Sequence, residues 1–173
     1  MIKTVITGKA HVFGNNIDTD QIYPGRYLEL VDPKEIAKHC MAGVRESFVS
    51  EFTAGDIVVG GTNFGCGSSR EHAVIALKSI GAGAVIAKSF ARIFYRNALN
   101  LGFVLIVCPE IDKLGIKGTE ELILDIEKGT VTNNSTGEQI PCEPISGYAM
   151  EILKNDGIIN MIKAQNKKQA LLC

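Results

Sequence analysis

Tryptophan is absent from the 173 residues, and aromatic side chains of every kind make up only 6%. Little is left for stacking on nucleic-acid bases. Charge of one sign is missing too: 18 Lys and Arg against 19 Asp and Glu leave a formal net charge of -1. That is too near neutral to draw the chain to a polyanion or an anionic membrane. No stretch approaches the roughly 20 apolar residues of a membrane span. Lys3 and Lys9 interrupt the first apolar run, which leaves no signal-peptide core. The cysteines (Cys40, Cys66, Cys108, Cys142 and Cys173) form no C-x-x-C pair, and no His stands at zinc-ligand spacing from any of them. An odd number of scattered thiols fits a reducing compartment. The expectation is a cytoplasmic protein with no metal ligands of its own and no nucleic-acid or membrane partner.

What is present describes an ordinary globular chain, 46% hydrophobic and 21% charged. Its length suits one domain over residues 1–173 with a core of its own. From about residue 163 the Lys-rich end reads as a frayed tail. Thr4 to Phe13 has strand content broken by Gly8, and residues 14–20 read as loop. Asp32-Pro33-Lys34-Glu35 announces a helix running to about Gly43, with Asp32 as cap and Pro33 at the first position. Strand-like runs at 56–61, 84–87 and 103–107 alternate with helical periods at 71–80 and 90–101, the last stopped by Gly102. Strand–helix–strand–helix–strand requires crossovers and a parallel sheet. After residue 120 the period shortens: 122–127, 130–132 and 139–142 read as antiparallel strands, followed by a helix over 148–154. The fold class is α/β with a β-rich addition.

One segment carries chemistry: Asn63-Phe64-Gly65-Cys66-Gly67-Ser68-Ser69-Arg70-Glu71-His72. Gly65 and Gly67 permit positive φ and close approach of a ligand to backbone amides. Ser68 and Ser69 stand before a helix, where free amides and the dipole favour an anion. Arg70 adds a planar fork for a carboxylate or phosphate. Two other readings stand beside the anion site. Ser68-Ser69-Arg70-Glu71 fits a capping box, with Ser68 as cap and Glu71 reaching back. Cys66 near a helix start is also a candidate nucleophile, though no partner base is evident. The loop is neither a Walker loop nor G-x-G-x-x-G.

The run Asn63 to Ala73 resembles the signature of 3-isopropylmalate dehydratase small subunits and of the swivelling domain of aconitases. Two further blocks resemble the same family, Asn16-Ile17-Asp18-Thr19-Asp20-Gln21-Ile22-Tyr23-Pro24-Gly25-Arg26-Tyr27-Leu28 and Lys88-Ser89-Phe90-Ala91-Arg92-Ile93-Phe94-Tyr95-Arg96-Asn97. The three fall in family order. The resemblance implies a swivelling-domain fold, three-layer β/β/α, with a mainly parallel sheet and an added β-rich section. It implies a hydro-lyase active only with a large subunit, as heterodimer or heterotetramer, whose three cysteines hold a [4Fe–4S] cluster. Carried over by motif, Ser68 is the base, Ser69 and Gly67 supply hydrogen bonds, and Arg70 clamps a carboxylate of a small dicarboxylate substrate.

In such subunits the loop at Tyr27-Leu28-Glu29-Leu30 helps choose the substrate's variable group. Homoaconitase-like members resemble Tyr-Leu-Arg-Thr there. Glu29 would repel a third carboxylate and Leu30 suits an alkyl group, which favours isopropylmalate and leucine biosynthesis. Glu29 departs from the usual apolar residue, so 2,3-dimethylmalate and 2-methylmalate dehydratases remain alternatives, as does a free-standing anion-binding regulatory module. Asp18 and Asp20 are expected to order their own backbone rather than a metal. His72 is expected to be structural. Arg92 and Arg96, one turn apart, are expected on a solvated face or in ion pairs, with the site or the partner as the other possibility.

Overall fold

The computed structural model describes residues 2–171. Strand β1 (Val5–Val12) is the seam of a seven-stranded sheet. On one side it pairs parallel with β2 (Ile57–Gly60), Ala10 opposite Ile57. On the other it pairs antiparallel with β5 (Glu121–Asp125), Val5 opposite Asp125. β3 (Ala84–Ala87) and β4 (Leu105–Val107) extend the parallel half, while β6 (Thr130–Asn133) and β7 (Gln139–Pro141) extend the antiparallel half. The full order is β4-β3-β2-β1-β5-β6-β7. Gly8 does not break β1 as expected. It sits in register opposite Leu122, and the strand runs through it.

Because β1 to β4 lie side by side in chain order, right-handed crossovers put every connecting helix on the same face. Those helices are α1 (Thr19–Ile22), α2 (Pro33–Ala37), α3 (Phe48–Glu51), α4 (Glu71–Ser79) and α5 (Arg92–Asn100). Val58, Val85 and Leu105 meet Val74, Leu77, Phe94 and Ala98 in one core. The opposite face carries Ile57, Val59, Ala84 and Ile86, which need cover of their own. Leu122, Leu124 and Val131 supply it by folding the antiparallel half over. The fully buried runs of β2 and β3 follow from cover on both faces. The curl brings the sheet's two ends together, where the Glu143 amide donates to Val107 O at 2.8 Å. The layers are helix, parallel sheet and antiparallel sheet, as the resemblance implied.

Some boundaries moved for identifiable reasons. The helix begun by the Asp32 cap is regular only to Ala37. Its continuation tightens into i→i−3 bonds, and buried Met41 turns to φ +58 because its amide donates to Ile22 O at 2.6 Å. The helix expected from Phe90 starts at Arg92, since the Ala91 amide is taken by Phe64 O. After α6 (Gly147–Lys154), residues 163–170 are not a frayed tail but part of α7 (Ile158–Ala170), anchored by buried Met161. The last two residues of that expected tail lie outside the described ones.

Candidate active site

In open α/β sheets, ligands bind beyond the carboxyl ends of the parallel strands. Here the loops after β1, β2 and β3 meet at that edge. Phe64 forms a parallel bridge with Phe90, and Cys66 forms one with Asp18. The Gly65 amide donates to Ile17 O at 2.7 Å, and the Thr19 amide donates to Cys66 O at 2.8 Å. The three blocks that carry the family resemblance are therefore one stitched unit. Phe64, Phe90 and Phe94 pack beneath it, with Phe64 and Phe94 edge to face at 5.7 Å.

The glycines are needed. Gly65 has φ +79, and a Cβ there would lie 2.1 Å from the Phe94 ring. Gly67 has φ +95, which turns the chain so that Ser68 comes back beside α1. Ser68 Oγ lies 3.2 Å from Thr19 Oγ1, the one polar contact of its side chain among the described residues. The capping box that the spacing allowed as an alternative is absent: α4 begins at Glu71, its cap position is extended Arg70, and no side chain caps it. The left-handed turn at Gly67 swings Ser68 away from the amides it would have to reach. The Ser68 residue is exposed.

Arg70 Nη1 donates to Asp20 Oδ1 at 2.8 Å, and the same oxygen accepts from the Gly25 amide at 2.8 Å. The Arg70 bond first, and the Gly25 amide next, hold the Asp20 carboxyl below the usual carboxylate range. Asp18 caps α1, exchanging side-chain and backbone bonds with Gln21. Both aspartates thus order local structure, as expected. His72 stacks on buried Tyr23, ring centres 5.7 Å apart and planes within 17°. Ser69 is exposed, and its carbonyl accepts from Asn97 Nδ2 at 3.4 Å. Leu30 packs on the helix-side core with Tyr27 and Leu28, and Glu29 points to solvent.

A cavity of about 510 Å³ opens on this edge, lined by Asn63, Gly65, Gly67, Ser68, Arg92 and Arg96 together with Ala91 and Ile93. It brings Gly67 and Ser68 together with two arginines for which a solvated face or ion pairs were expected. Arg70, Ser69, Glu29 and Leu30 do not line it. Residue reading by type also missed Thr19 and Asp20 as partners of Ser68 and Arg70. The only signal was their presence in the Asn-Ile-Asp-Thr-Asp block. A larger cavity of about 670 Å³ lies at the opposite edge among Val5, Gly55, Gly83 and Phe103. It is the poorer candidate, because its Lys78 is already bonded to Leu101 O and Asp156. Among the described residues, no three His, Cys, Asp or Glu side chains cluster as metal ligands. No helix among them is long and apolar enough to cross a membrane.

Comparison with known proteins agrees with this geometry. The profile of the aconitase C-terminal domain matches residues 49–110. The 3-isopropylmalate dehydratase small subunit 1 of Methanopyrus kandleri is 48% identical, over 96% of this chain and 98% of that protein. The corresponding subunit of Caldicellulosiruptor bescii is 47% identical over 96% and 99%. A protein named methanogen homoaconitase small subunit, from Methanocaldococcus jannaschii, is 48% identical over 96% of each chain. A crystal structure of 3-isopropylmalate dehydratase from that organism superposes with a TM-score of 0.93, at 46% identity over 98% of this chain and 99% of that one. With three motifs joined at one sheet edge and such likeness over nearly its whole length, the chain belongs to the family of 3-isopropylmalate dehydratase small subunits, within the aconitase superfamily.

Proposed function

We propose that the chain supplies the base and a carboxylate clamp to a hydro-lyase whose [4Fe–4S] cluster is held by a large partner subunit. When bound there, the cluster acts as a Lewis acid toward the departing hydroxyl. Everything else asked of this chain is done by its own residues. Ser68 Oγ, as alkoxide, takes the proton from the carbon next to a carboxylate. The released electron pair forms the double bond as hydroxide leaves the neighbouring carbon, and re-addition of water to the other carbon completes an isomerisation. Serine is far too weak an acid to act unaided, so its anion needs donors in a site closed to water. Thr19 Oγ1 is one such donor, and Gly67 and Ser69 add the hydrogen bonds that the family resemblance implies. Arg70 exchanges Asp20 for a substrate carboxylate and fixes orientation. The observation that carries this reading is Ser68 Oγ, free of the helix cap and open to the cavity.

The favoured substrate pair is 2- and 3-isopropylmalate, as in leucine biosynthesis. The homoaconitase-named relative at 48% identity keeps a tricarboxylate as the second reading. Glu29 argues against it by like-charge repulsion. The 2,3-dimethylmalate and 2-methylmalate reactions are the remaining relatives.

The test is anaerobic reconstitution with an iron–sulfur large subunit, following the unsaturated acid in the ultraviolet. Turnover is expected with isopropylmalate, and Ser68→Ala should lower kcat about 10²–10⁴-fold, the range for a positioned base. Inactivity with every one of these hydroxy acids would leave only an anion-binding module. A Ser68→Ala enzyme at near wild-type rate would remove the base.

A further inference from the structure

We infer that Cys108 and Cys142 are a redox modification site, a thiol pair that a hydroperoxide converts to a disulfide stapling the two ends of the curled sheet. This site is independent of the hydro-lyase reading. The two cysteines look unrelated along the chain, but the curl sets them side by side. Cys108 directly follows β4 and Cys142 directly follows β7, the two terminal strands of the sheet order. Backbone bonds fix both: the Cys108 amide donates to Ala87 O and the Cys142 amide to Gly129 O, each at 2.8 Å. Their neighbours are joined across the seam by the Glu143 amide on Val107 O, also at 2.8 Å. The Cys108 thiol donates at 3.6 Å to the carbonyl of Pro141, the residue before Cys142. No ladder joins β4 to β7 among the described residues, so contacts of this kind are what close the curl.

A hydrogen bond from Cys142 holds the Cys108 thiol below its usual range, and the same bond, with burial, pushes the Cys142 thiol up. Negative charge therefore collects on Cys108, beside a second thiol able to resolve its oxidised form. Half-buried Cys142 opens the pair to small solutes, whereas Cys40 is fully buried and burial alone pushes its thiol up. Cys108, as thiolate, attacks one peroxide oxygen; the O–O bond breaks, a sulfenic acid forms and hydroxide leaves. That hydroxide takes the Cys142 proton and becomes water. The Cys142 sulfur then displaces hydroxide from Cys108, the S–S bond forms, and the hydroxide takes up the proton that Cys108 first released. Two thiols have lost two electrons, and the peroxide has become two waters. Thiol reductants reopen the bond, so the state of the pair follows the peroxide supply. The bond closes a loop of ~35 residues, long enough to stabilise the chain measurably. It also keeps shut a seam that, once open, would offer two unpaired strand edges to another chain.

The full chain is reduced, freed of reductant in the absence of air, and given one equivalent of hydrogen peroxide. Its intact mass should fall by two hydrogens, and proteolysis should yield a peptide joining Cys108 to Cys142 that dithiothreitol splits. The treated chain should melt roughly 5–10 °C higher, and dithiothreitol should return it to its starting value. Cys142→Ser should lose both the link and the gain in Tm, leaving Cys108 to oxidise onward to sulfinic acid. Cys142→Ala gives the same comparison if the serine unfolds the chain. A mass that peroxide leaves unchanged overturns the site, and so does a link made through Cys40, Cys66 or Cys173 instead. A linked chain that melts no higher than the reduced one overturns the staple. These readouts need no turnover, so they hold or fail apart from the hydro-lyase reading.

Discussion

Thr19→Val separates the chemistry proposed for Ser68 from the stability of its loop. Valine keeps the shape of the threonine side chain, and Thr19 is 2% exposed, so no cavity opens. The backbone bond from the Thr19 amide to Cys66 O remains. What disappears is the 3.2 Å contact between the Thr19 and Ser68 hydroxyls. A neutral hydrogen bond is worth a net ~0.5–1.5 kcal/mol, and exposed Ser68 can turn to water, which points to the low end. For a chain of this size, ~0.5 kcal/mol lowers Tm by roughly 1–2 °C. The rate has more to lose. Toward an alkoxide the same bond becomes charge-assisted, worth ~1.5–3 kcal/mol, or roughly 10–150-fold in kcat. Thermal melting and steady-state turnover of the reconstituted complex should therefore disagree: little change in the first, a tenfold or greater fall in the second. Thr19→Ser, which keeps the hydroxyl, should retain most of the rate. A Thr19→Val enzyme within twofold of wild-type kcat would refute the claim that Thr19 positions the base.

Gly65→Ala would set a methyl 2.1 Å from the Phe94 ring at φ +79, so the loop or the ring must shift. Overpacking of that kind costs about 1–3 kcal/mol, visible as a lower denaturant midpoint; an unmoved midpoint would mean the three-loop unit is looser than it looks. Asp20 has its carboxyl held down by Arg70, so its contribution is present above its unfolded value of about 3.9 and is lost as pH falls through the lower folded one. With Asp20 65% and Arg70 28% exposed, the pair is worth at most about 1 kcal/mol. Wild type and Asp20→Asn should accordingly differ slightly at pH 7 in low salt and converge as pH falls through the lowered folded value, and a gap that widens in acid would reverse the assignment. Glu29→Arg should move preference toward a tricarboxylate, read as the ratio of kcat/KM values, and an unmoved ratio removes that residue from the specificity argument.

Local chemistry made much of this fold legible. The Asp32 cap, the glycine stop at residue 102 and the apolar runs of β2, β3 and β4 each carry a short-range signal, and the strand–helix alternation dictated the parallel half. The Ser68-to-Glu71 spacing alone left a capping box open, because it satisfies one in sequence, while in the fold Gly67 turns at φ +95 and α4 starts only at Glu71 with no side-chain cap. Thr19 with Ser68 and Asp20 with Arg70 are 49 and 50 residues apart in the chain. No periodicity announces such pairs; only the superposition of two crossover loops on one sheet edge creates them. Met41 ended a helix early for the same reason, a bond to the distant Ile22 carbonyl. Short-range rules located the elements, and long-range pairing decided what the site residues touch.

That division bears on why the site is open. Ser68 and Ser69 are solvent-exposed, and Arg70 spends its fork on Asp20. In water a serine alkoxide is inaccessible near neutral pH, and each nearby dipole is screened. The same groups act strongly once water is excluded, because charge–dipole terms grow as the dielectric falls. A partner surface over the cavity would strengthen the Thr19–Ser68 contact. It would also make exchange of Asp20 for a substrate carboxylate favourable only when substrate is there. On this reading, exposure in the free subunit is a safeguard of the proposed chemistry, since the base forms only where its substrate and a second subunit enclose it. A free chain that deprotonated the substrate unaided, followed as deuterium uptake at the carbon next to the carboxylate, would contradict it.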